Sequence, residues 1–518
     1  MHPPTLALVF SQRLVSDNTL TIGNALAPGL VPSETGATIN WFNTIVRFWP
    51  RLVVGFQFLA ALLASAHALL NKRDSRAATL WLGTIWFLPV LGPILYLVLG
   101  INRIRRRAFS LGVQRNVARP IPKNLGEPEI SGVEHLQMLA RVVGRVISQP
   151  LTPGNRLQPL VNGDEAFPAM LAAIDGAKKS ISLVTYIFDN DASGKQFADA
   201  LARAVKRGVA VRVLIDAAGT RYSWPPITHR LRHAGVPMAQ FLPASLLTPW
   251  RVTTINLRNH RKVLVIDGQI AFTGGINIRH GNMIAENPRS PVRDLHFRAE
   301  GPLVGQLQEA FAADWAFTTG EKLGGDLWFP ELRECGNVIA RVITDGPDAD
   351  FETVRWTLLA ALTEAEHSVQ IVTPYFLPET ALVTAMNLAS LRGVRVDIIL
   401  PARSNLRFVD WASRGMWWQL LERGCRIWLT PAPFDHSKLM IVDNHWVFFG
   451  SANWDARSLR LNFELMVEAY GRDFAEAMSR VVESKLQGAR QVSLEEVDGR
   501  HFVAKLRDAI ARLFSPFL

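Results

Sequence analysis

Two segments of this 518-residue chain carry one pattern, His260-Arg-Lys262-Val-Leu-Val-Ile-Asp267 and His436-Ser-Lys438-Leu-Met-Ile-Val-Asp443. Each reads His-x-Lys-x-x-x-x-Asp and leads at the same distance to a small-residue turn and an asparagine, Gly274-Gly275-Ile-Asn277 and Gly450-Ser451-Ala-Asn453. Side chains alternate along a strand, so each histidine shares a face with its lysine. A neutral imidazole can attack phosphorus, and an ammonium is a compact cation for phosphate oxygens. The pair therefore suits a phosphodiester. A core histidine beside a snorkelling lysine would explain one copy; two copies with the same sequel point to a duplicated phosphate-handling unit.

Strands must position these pairs. Val263–Ile266 and Leu439–Val442 are apolar on both faces and rich in β-branched residues, as buried strands are. The repeat extends further: Ser180-Ile-Ser-Leu-Val-Thr-Tyr-Ile-Phe188 parallels Ser368-Val-Gln-Ile-Val-Thr-Pro-Tyr-Phe376. Arg207-Gly208 and Arg392-Gly393 then each punctuate a helix end before an alternating strand. Strands alternating with helices predict an α/β sandwich in each half. The boundary is expected near residues 320–336, where Gly-Glu-Lys-Leu-Gly-Gly325 reads as a linker.

The N-terminal part differs in character. Leu52–Leu70 has only Gln57 and His67 as strongly polar interruptions, and Ala77–Ile101 has no charge. Each is long enough to cross about 30 Å of hydrocarbon as a helix, with Pro89 and Pro93 kinking the second. The short loop Asn71–Arg76 predicts a two-helix transmembrane hairpin with both chain ends on one side. Arg47, Arg51 and the arginines from Arg103 to Arg119 outnumber Lys72, Arg73 and Arg76 of the loop, which places the large C-terminal region in the cytoplasm. Leu6–Phe10 is too short and lacks the basic leader of a cleaved signal. Cys335 and Cys425 are isolated, so neither a disulfide framework nor a cysteine metal site is indicated. A net charge of +11 favours an anionic partner, nucleic acid or lipid, and the hairpin favours lipid.

These motifs, with Thr373-Pro-Tyr-Phe-Leu-Pro378, Gly450–Ser458, Leu461-Asn-Phe-Glu464 and the closing Leu513-Phe-Ser-Pro516, give the chain its likeness. It resembles the phospholipase D superfamily and, within it, the bacterial cardiolipin synthases, from about residue 48 to the C-terminus. The resemblance implies that the two halves pack about a pseudo-twofold axis with both motifs facing one cleft. It also implies transfer of a phosphatidyl group between two phosphatidylglycerol molecules, giving cardiolipin and glycerol, in a bacterial inner membrane. By resemblance His260 is the nucleophile and His436 the general acid/base, an assignment the residues alone leave open. Lys262 and Lys438 would clamp the non-bridging oxygens, Asn277 and Asn453 would donate to them, and Gly274, Gly275, Gly450 and Ser451 would let the backbone approach the phosphate.

An attacking imidazole needs its far nitrogen held by an acceptor, and Asp294 and Glu464 are the candidates that follow each motif. Asp267 and Asp443 complete the signature, but five residues past the lysine they fall at the far strand end and read as structural. Asp294-Leu-His296 is a ligand pair only in principle; no cofactor or metal is expected. Anionic phospholipids and the bilayer are the expected partners, nucleic acid is not, and the oligomeric state is left open. Other phosphatidyl transfer, lipid hydrolysis to phosphatidic acid and nucleic-acid phosphodiester cleavage are the competing activities. Trp224 and Trp250 are candidates for the membrane interface, whereas Trp417 and Trp418 lie in a helical stretch and read as core. The expected partition is a poorly ordered tail (1–46), the hairpin (47–101), a linker with an amphipathic helix (102–154) and two homologous domains (155–328 and 329–518).

Overall fold

The computed structural model describes residues 35–72, 75–101, 130, 134–243, 257–346, 350 and 352–515. The arginine cluster from Arg103 to Arg119, Trp250 and residues 1–34 of the expected tail lie outside them. The chain divides into two compact units after Gly100.

The first unit opens on a helix, Thr35–Asn71, that carries Pro50 inside it. It begins within the expected tail because no glycine or proline interrupts residues 37–49. Its part Phe48–Asn71 is long and apolar enough to cross a membrane. The second apolar segment is not one helix. Ser75–Phe87 runs back beside the first, with Trp86 edge-on to Phe58 and its Nε1 donating to Ser65 Oγ at 3.1 Å. At Leu88–Val90 the chain turns, Val90 taking φ 67°, and Leu91–Leu95 continues into a π-helical turn, Tyr96–Gly100. That stretch returns along its predecessor: Tyr96 meets the Trp81 ring at 5.3 Å and the His67 Nδ1 at 2.8 Å. Gly92 approaches so closely that a Cβ there would lie 2.2 Å from the Thr84 carbonyl oxygen. Pro89, lacking an N–H, sits at the bend. The 13-residue helix spans only about 20 Å, short of a bilayer core. The continuous second crossing expected over Ala77–Ile101 is thus a fold-back, and its end returns toward the loop instead of the N-terminal side.

The second unit contains both halves. The first half holds β1 (Thr152–Val161), β2 (Ser180–Thr185), β3 (Ala210–Asp216), β4 (Met238–Phe241), β5 (Val263–Ile266), β6 (Ile270–Gly274), β7 (Val292–Arg293) and β8 (Leu295–Glu300). The second holds β9 (Val338–Asp345), β10 (Ser368–Val372), β11 (Arg395–Pro401), β12 (Arg426–Thr430), β13 (Phe434–Asp435), β14 (Leu439–Val442), β15 (Trp446–Gly450), β16 (Glu464–Tyr470) and β17 (Arg490–Val492). From the β1–β9 junction outward the order is β8-β6-β5-β2-β3-β4 on one side and β16-β15-β14-β10-β11-β12 on the other, with β17 added. The same order twice is the structural form of the repeat. Gly208 and Gly393, at φ 85° and 94°, end their helices in the left-handed conformation before β3 and β11.

Between the halves lies a shared apolar layer, in which Phe297 of β8 stacks on Phe449 of β15 with ring centroids 3.7 Å apart. The helices Leu303–Thr319 and Arg472–Leu486 cover this layer, and separate outer cores lie under the remaining helices of each half. The linker helix Glu134–Val146 buries Leu136, Leu139, Ala140 and Val143 against the second half and sets His135 Nε2 2.9 Å from Asp443 Oδ2.

Asp267 and Asp443 occupy the turns after β5 and β14 with φ 51° and 50°. Asp267 accepts from the backbone N–H of Lys178, Lys179 and Ser180; Asp443 accepts from Glu366, His367 and Ser368. Each therefore fastens the strand start of β2 or β10 to the motif strand, at the end away from the histidine.

Candidate active site

Each motif histidine sits just before a buried strand whose position the opposite half fixes. His260 N–H donates to the Phe463 carbonyl at 2.9 Å, and His436 N–H donates to the Arg293 carbonyl at 2.7 Å. The residue after each of these carbonyls carries a carboxylate. Glu464 Oε2 lies 3.0 Å from His260 Nδ1, and Asp294 Oδ2 lies 2.8 Å from His436 Nδ1. The two candidate orienting residues are thus crossed, each serving the other half's histidine.

A carboxylate can only accept, so each imidazole keeps a proton on Nδ1, and Nε2 is the nitrogen left to attack or to take and give a second proton. Glu464 also accepts from Ser451 Oγ at 2.5 Å and Asn462 Nδ2 at 3.0 Å. Burial pushes its carboxyl up, but the charges of His260 and Lys262 and these hydrogen bonds hold it below the usual range. Asp294, with fewer donors, is lifted by burial to about 6. Burial likewise drives both imidazoles below the ordinary histidine value, His436 the further because Lys438, Lys262 and His260 all bear on it. The crossed contacts bring both motifs to one site.

Lys262 Nζ donates to the His260 carbonyl at 2.5 Å, and Lys438 Nζ donates to the His436 carbonyl. An ammonium has three donors, so this contact anchors each lysine without exhausting it. Burial lowers Lys262 to about 7 and Lys438 to about 8, with the like charge of Lys438 adding to the effect on Lys262. Two buried cations side by side call for an anion between them.

The asparagines are not equivalent. Asn277 accepts from Ile187 N–H through Oδ1 at 3.1 Å, which leaves its amide as a donor. Asn453 directs Nδ2 to Ser458 Oγ at 3.1 Å. The small turn residues also have a packing role. A Cβ on Gly275 would lie 2.2 Å from Asp294 Oδ1, and one on Gly450 would lie 2.2 Å from the Leu465 carbonyl oxygen. They make room for the strands that deliver the carboxylates. Ser451, in the place of Gly275, instead binds its carboxylate through the hydroxyl.

Several residues that position the motifs were not singled out in the sequence. Arg261, the x of the first motif, pairs with Asp314 at 2.7 Å and donates Nε to the Glu464 carbonyl. In the second half Lys485 pairs with Asp435 at 2.5 Å and donates to Ser437 Oγ, the x of that motif. Tyr186 and Tyr375 stand edge-on to His260 and His436, with centroids 5.0 and 6.2 Å apart. They are offset by one position when the repeats are aligned, which conceals their common placement. His296 follows Asp294 on the same strand face, but Asp294 is engaged by His436, and burial depresses the His296 imidazole to about 4. Among the described residues no group of three or more His, Cys, Asp or Glu side chains is placed to hold a metal ion.

Comparison with known proteins supplies the context. The family described as "Cardiolipin synthase, PLD-like domain" matches residues 170–315 and 358–486, one match per half. A phospholipase D-nuclease N-terminal family matches residues 59–100. The chain is 32% identical to a cardiolipin synthase of Geobacillus kaustophilus, over 91% of this chain and 95% of that one. It is 33% identical to cardiolipin synthase A of Pseudomonas aeruginosa, over 90% of this chain and 96% of that one. In fold it is similar to the phosphatidylserine synthase of Haemophilus influenzae, with a TM-score of 0.57 at 14% identity over 73% of this chain and all of that one. With both matches falling on halves that each hold one His–Lys pair, the chain belongs to the cardiolipin synthase family of phospholipase D-like enzymes.

Proposed function

We propose that this enzyme transfers a phosphatidyl group from one phosphatidylglycerol to the hydroxyl of another, releasing glycerol and forming cardiolipin. The observation that carries the reading is the crossed pairing of His260 with Glu464 and His436 with Asp294, beside two buried lysines. His260 Nε2 attacks phosphorus, and the phosphorus–oxygen bond to the glycerol headgroup breaks with its electron pair. His436, which enters this step as the imidazolium protonated at Nε2 with Nδ1 held by Asp294, gives its Nε2 proton to that departing oxygen. A second phosphatidylglycerol then gives its hydroxyl proton to His436, attacks phosphorus and displaces His260. Lys262, Lys438 and the Asn277 amide compensate the charge that grows on the non-bridging oxygens. Every step uses protons and electron pairs already in the site, so neither a metal nor a cofactor is called for.

The fold-back of the second apolar segment supports a single crossing by Phe48–Asn71. Lys72, Arg73 and Arg76 then share a side with the arginines from Arg103 to Arg119, and only Arg47 and Arg51 flank the other. By the positive-inside rule the catalytic unit is cytoplasmic, and the basic loop no longer conflicts with that orientation. A Ser75→Cys variant tests this in spheroplasts with a membrane-impermeant thiol reagent. Protection until lysis is expected, whereas labelling from outside would restore the hairpin.

Purified enzyme mixed with phosphatidylglycerol vesicles should yield cardiolipin and free glycerol by mass spectrometry. Phosphatidic acid alone would identify a hydrolase, and an untouched lipid pool would sink the lipid reading. His260→Ala and His436→Ala should each lower turnover by at least about 10³-fold while the protein stays folded.

The depressed lysines set the pH profile. Attack needs a neutral His260, so activity rises with pH through a histidine value below the ordinary one. Donation to the leaving group needs a protonated His436, a form that burial and the neighbouring cations disfavour and a bound phosphodiester anion favours. In the free enzyme the cations are lost as pH climbs through about 7 for Lys262 and about 8 for Lys438, so kcat/KM falls on the alkaline side. A bound phosphodiester favours the ammonium form, so the alkaline limb of kcat lies at higher pH. Identical limbs in kcat and kcat/KM would contradict lysine clamping of the substrate.

A further inference from the structure

The C-terminal helix Phe502–Leu513 leaves an apolar face uncovered. Phe502, Leu506, Ile510 and Leu513 recur at helical spacing, and Val503 and Phe514 widen the stripe. Phe502 and Leu513 are 71% and 72% exposed, values at odds with a face meant for water. The opposite face is anchored: Asp508 and Ala511 are buried, Arg500 binds Asp508 at 2.6 Å, and the Arg507 guanidinium lies 4.6 Å from the Trp411 ring. The helix is therefore fixed with its apolar side outward. Exposed Lys505 flanks the stripe, and Arg403 and Arg407 stand exposed in the neighbouring segment, whereas Arg507 is paired with Asp508 at 2.7 Å on the anchored side.

This face connects to the cleft. Phe514 packs on Phe408 of the adjoining helix Arg407–Arg414, with centroids 5.7 Å apart. Val409, Asp410 and Ser413 of that helix line one pocket with Tyr375, whose hydroxyl donates to Asn405 Oδ1 at 2.7 Å and whose ring stands against His436. The first half repeats the arrangement. Tyr186 beside His260 meets Tyr222 at 6.3 Å, and Trp224 on the same loop is 91% exposed. Aromatic side chains thus lead from each histidine to an apolar rim.

We propose that the helix Phe502–Leu513, with the rim around Phe408 and Trp224, docks the catalytic unit on a bilayer surface that carries anionic lipid. Charge complementarity selects that occupant. Cations around an apolar stripe attract anionic headgroups while the stripe enters the acyl boundary. A second copy meeting the same face would set like charges against each other. The contact would open the cleft against the lipid layer, so that a diacyl substrate reaches the histidines without leaving its bilayer. Because the Phe48–Asn71 helix already tethers the chain, weak interfacial affinity suffices.

The inference rests on the lipid reading of the cleft, and its test separates the two. Full-length enzyme carrying Leu506→Cys and Cys335→Ser is spin-labelled and reconstituted in nanodiscs, Cys425 being buried. With phosphatidylglycerol in the disc, the label should become accessible to oxygen and shielded from a nickel chelate. Equal nickel access in phosphatidylglycerol discs and in detergent would overturn the proposal. So would shielding in detergent, which would reveal a second copy on the face. The Leu506→Asp/Leu513→Asp variant should lose at least about tenfold of its turnover on bilayer phosphatidylglycerol and keep it within twofold on monomeric dihexanoyl-phosphatidylglycerol. Loss on both, or on neither, would refute docking. A wild-type enzyme inert on both substrates would refute phosphatidyl transfer while leaving the label result standing.

Discussion

The carboxylate of one half hydrogen-bonded to the histidine of the other is the contact on which the site depends. Neither half alone holds both an imidazole and its Nδ1 partner, because that partner belongs to the opposite half. Burial disfavours every charge here, so the carboxylates and lysines persist as ions only by facing one another. The stacked Phe297–Phe449 pair and the junction between β1 and β9 keep the halves in the register that these contacts need.

The pairing explains why the signature is followed by small residues. Gly275 clears space for the Asp294 carboxylate, and Ser451 binds Glu464 from the equivalent position. The halves have diverged around a shared plan, and the two carboxylates now experience different fields. Glu464, bound by three side chains, is held in its ionised form; Asp294 lies nearer the point of accepting a proton. Such a difference suits one histidine to a lasting bond with phosphorus and the other to passing protons.

Much of this was legible in the sequence. The doubled motif, the Arg-Gly helix ends and the β-branched strands led to two α/β halves, because period and spacing are local properties. The candidate carboxylates were found by their place after each motif, but their exchange between halves was not, since only packing decides which histidine a strand end meets. The fold-back after Phe87 escaped because composition measures apolar length and not direction; Pro89 and Gly92 were its only written signs. Arg261 and Lys485 were hidden for a related reason. They do the same work from unlike positions with opposite placement of charge, so aligning the repeats does not superimpose them.

The most direct measurement uses a phosphatidyl ester of p-nitrophenol, whose leaving group needs no general acid, with the His436→Ala enzyme. Formation of the histidine adduct should proceed and its discharge should stall for want of a base. The expected result is a burst of one nitrophenolate per enzyme, with the phosphatidyl group mapped by mass spectrometry to the peptide carrying His260. Absence of a burst while the unaltered enzyme turns over, or an adduct on any other residue, would contradict a shared site in which His260 attacks and His436 moves the protons.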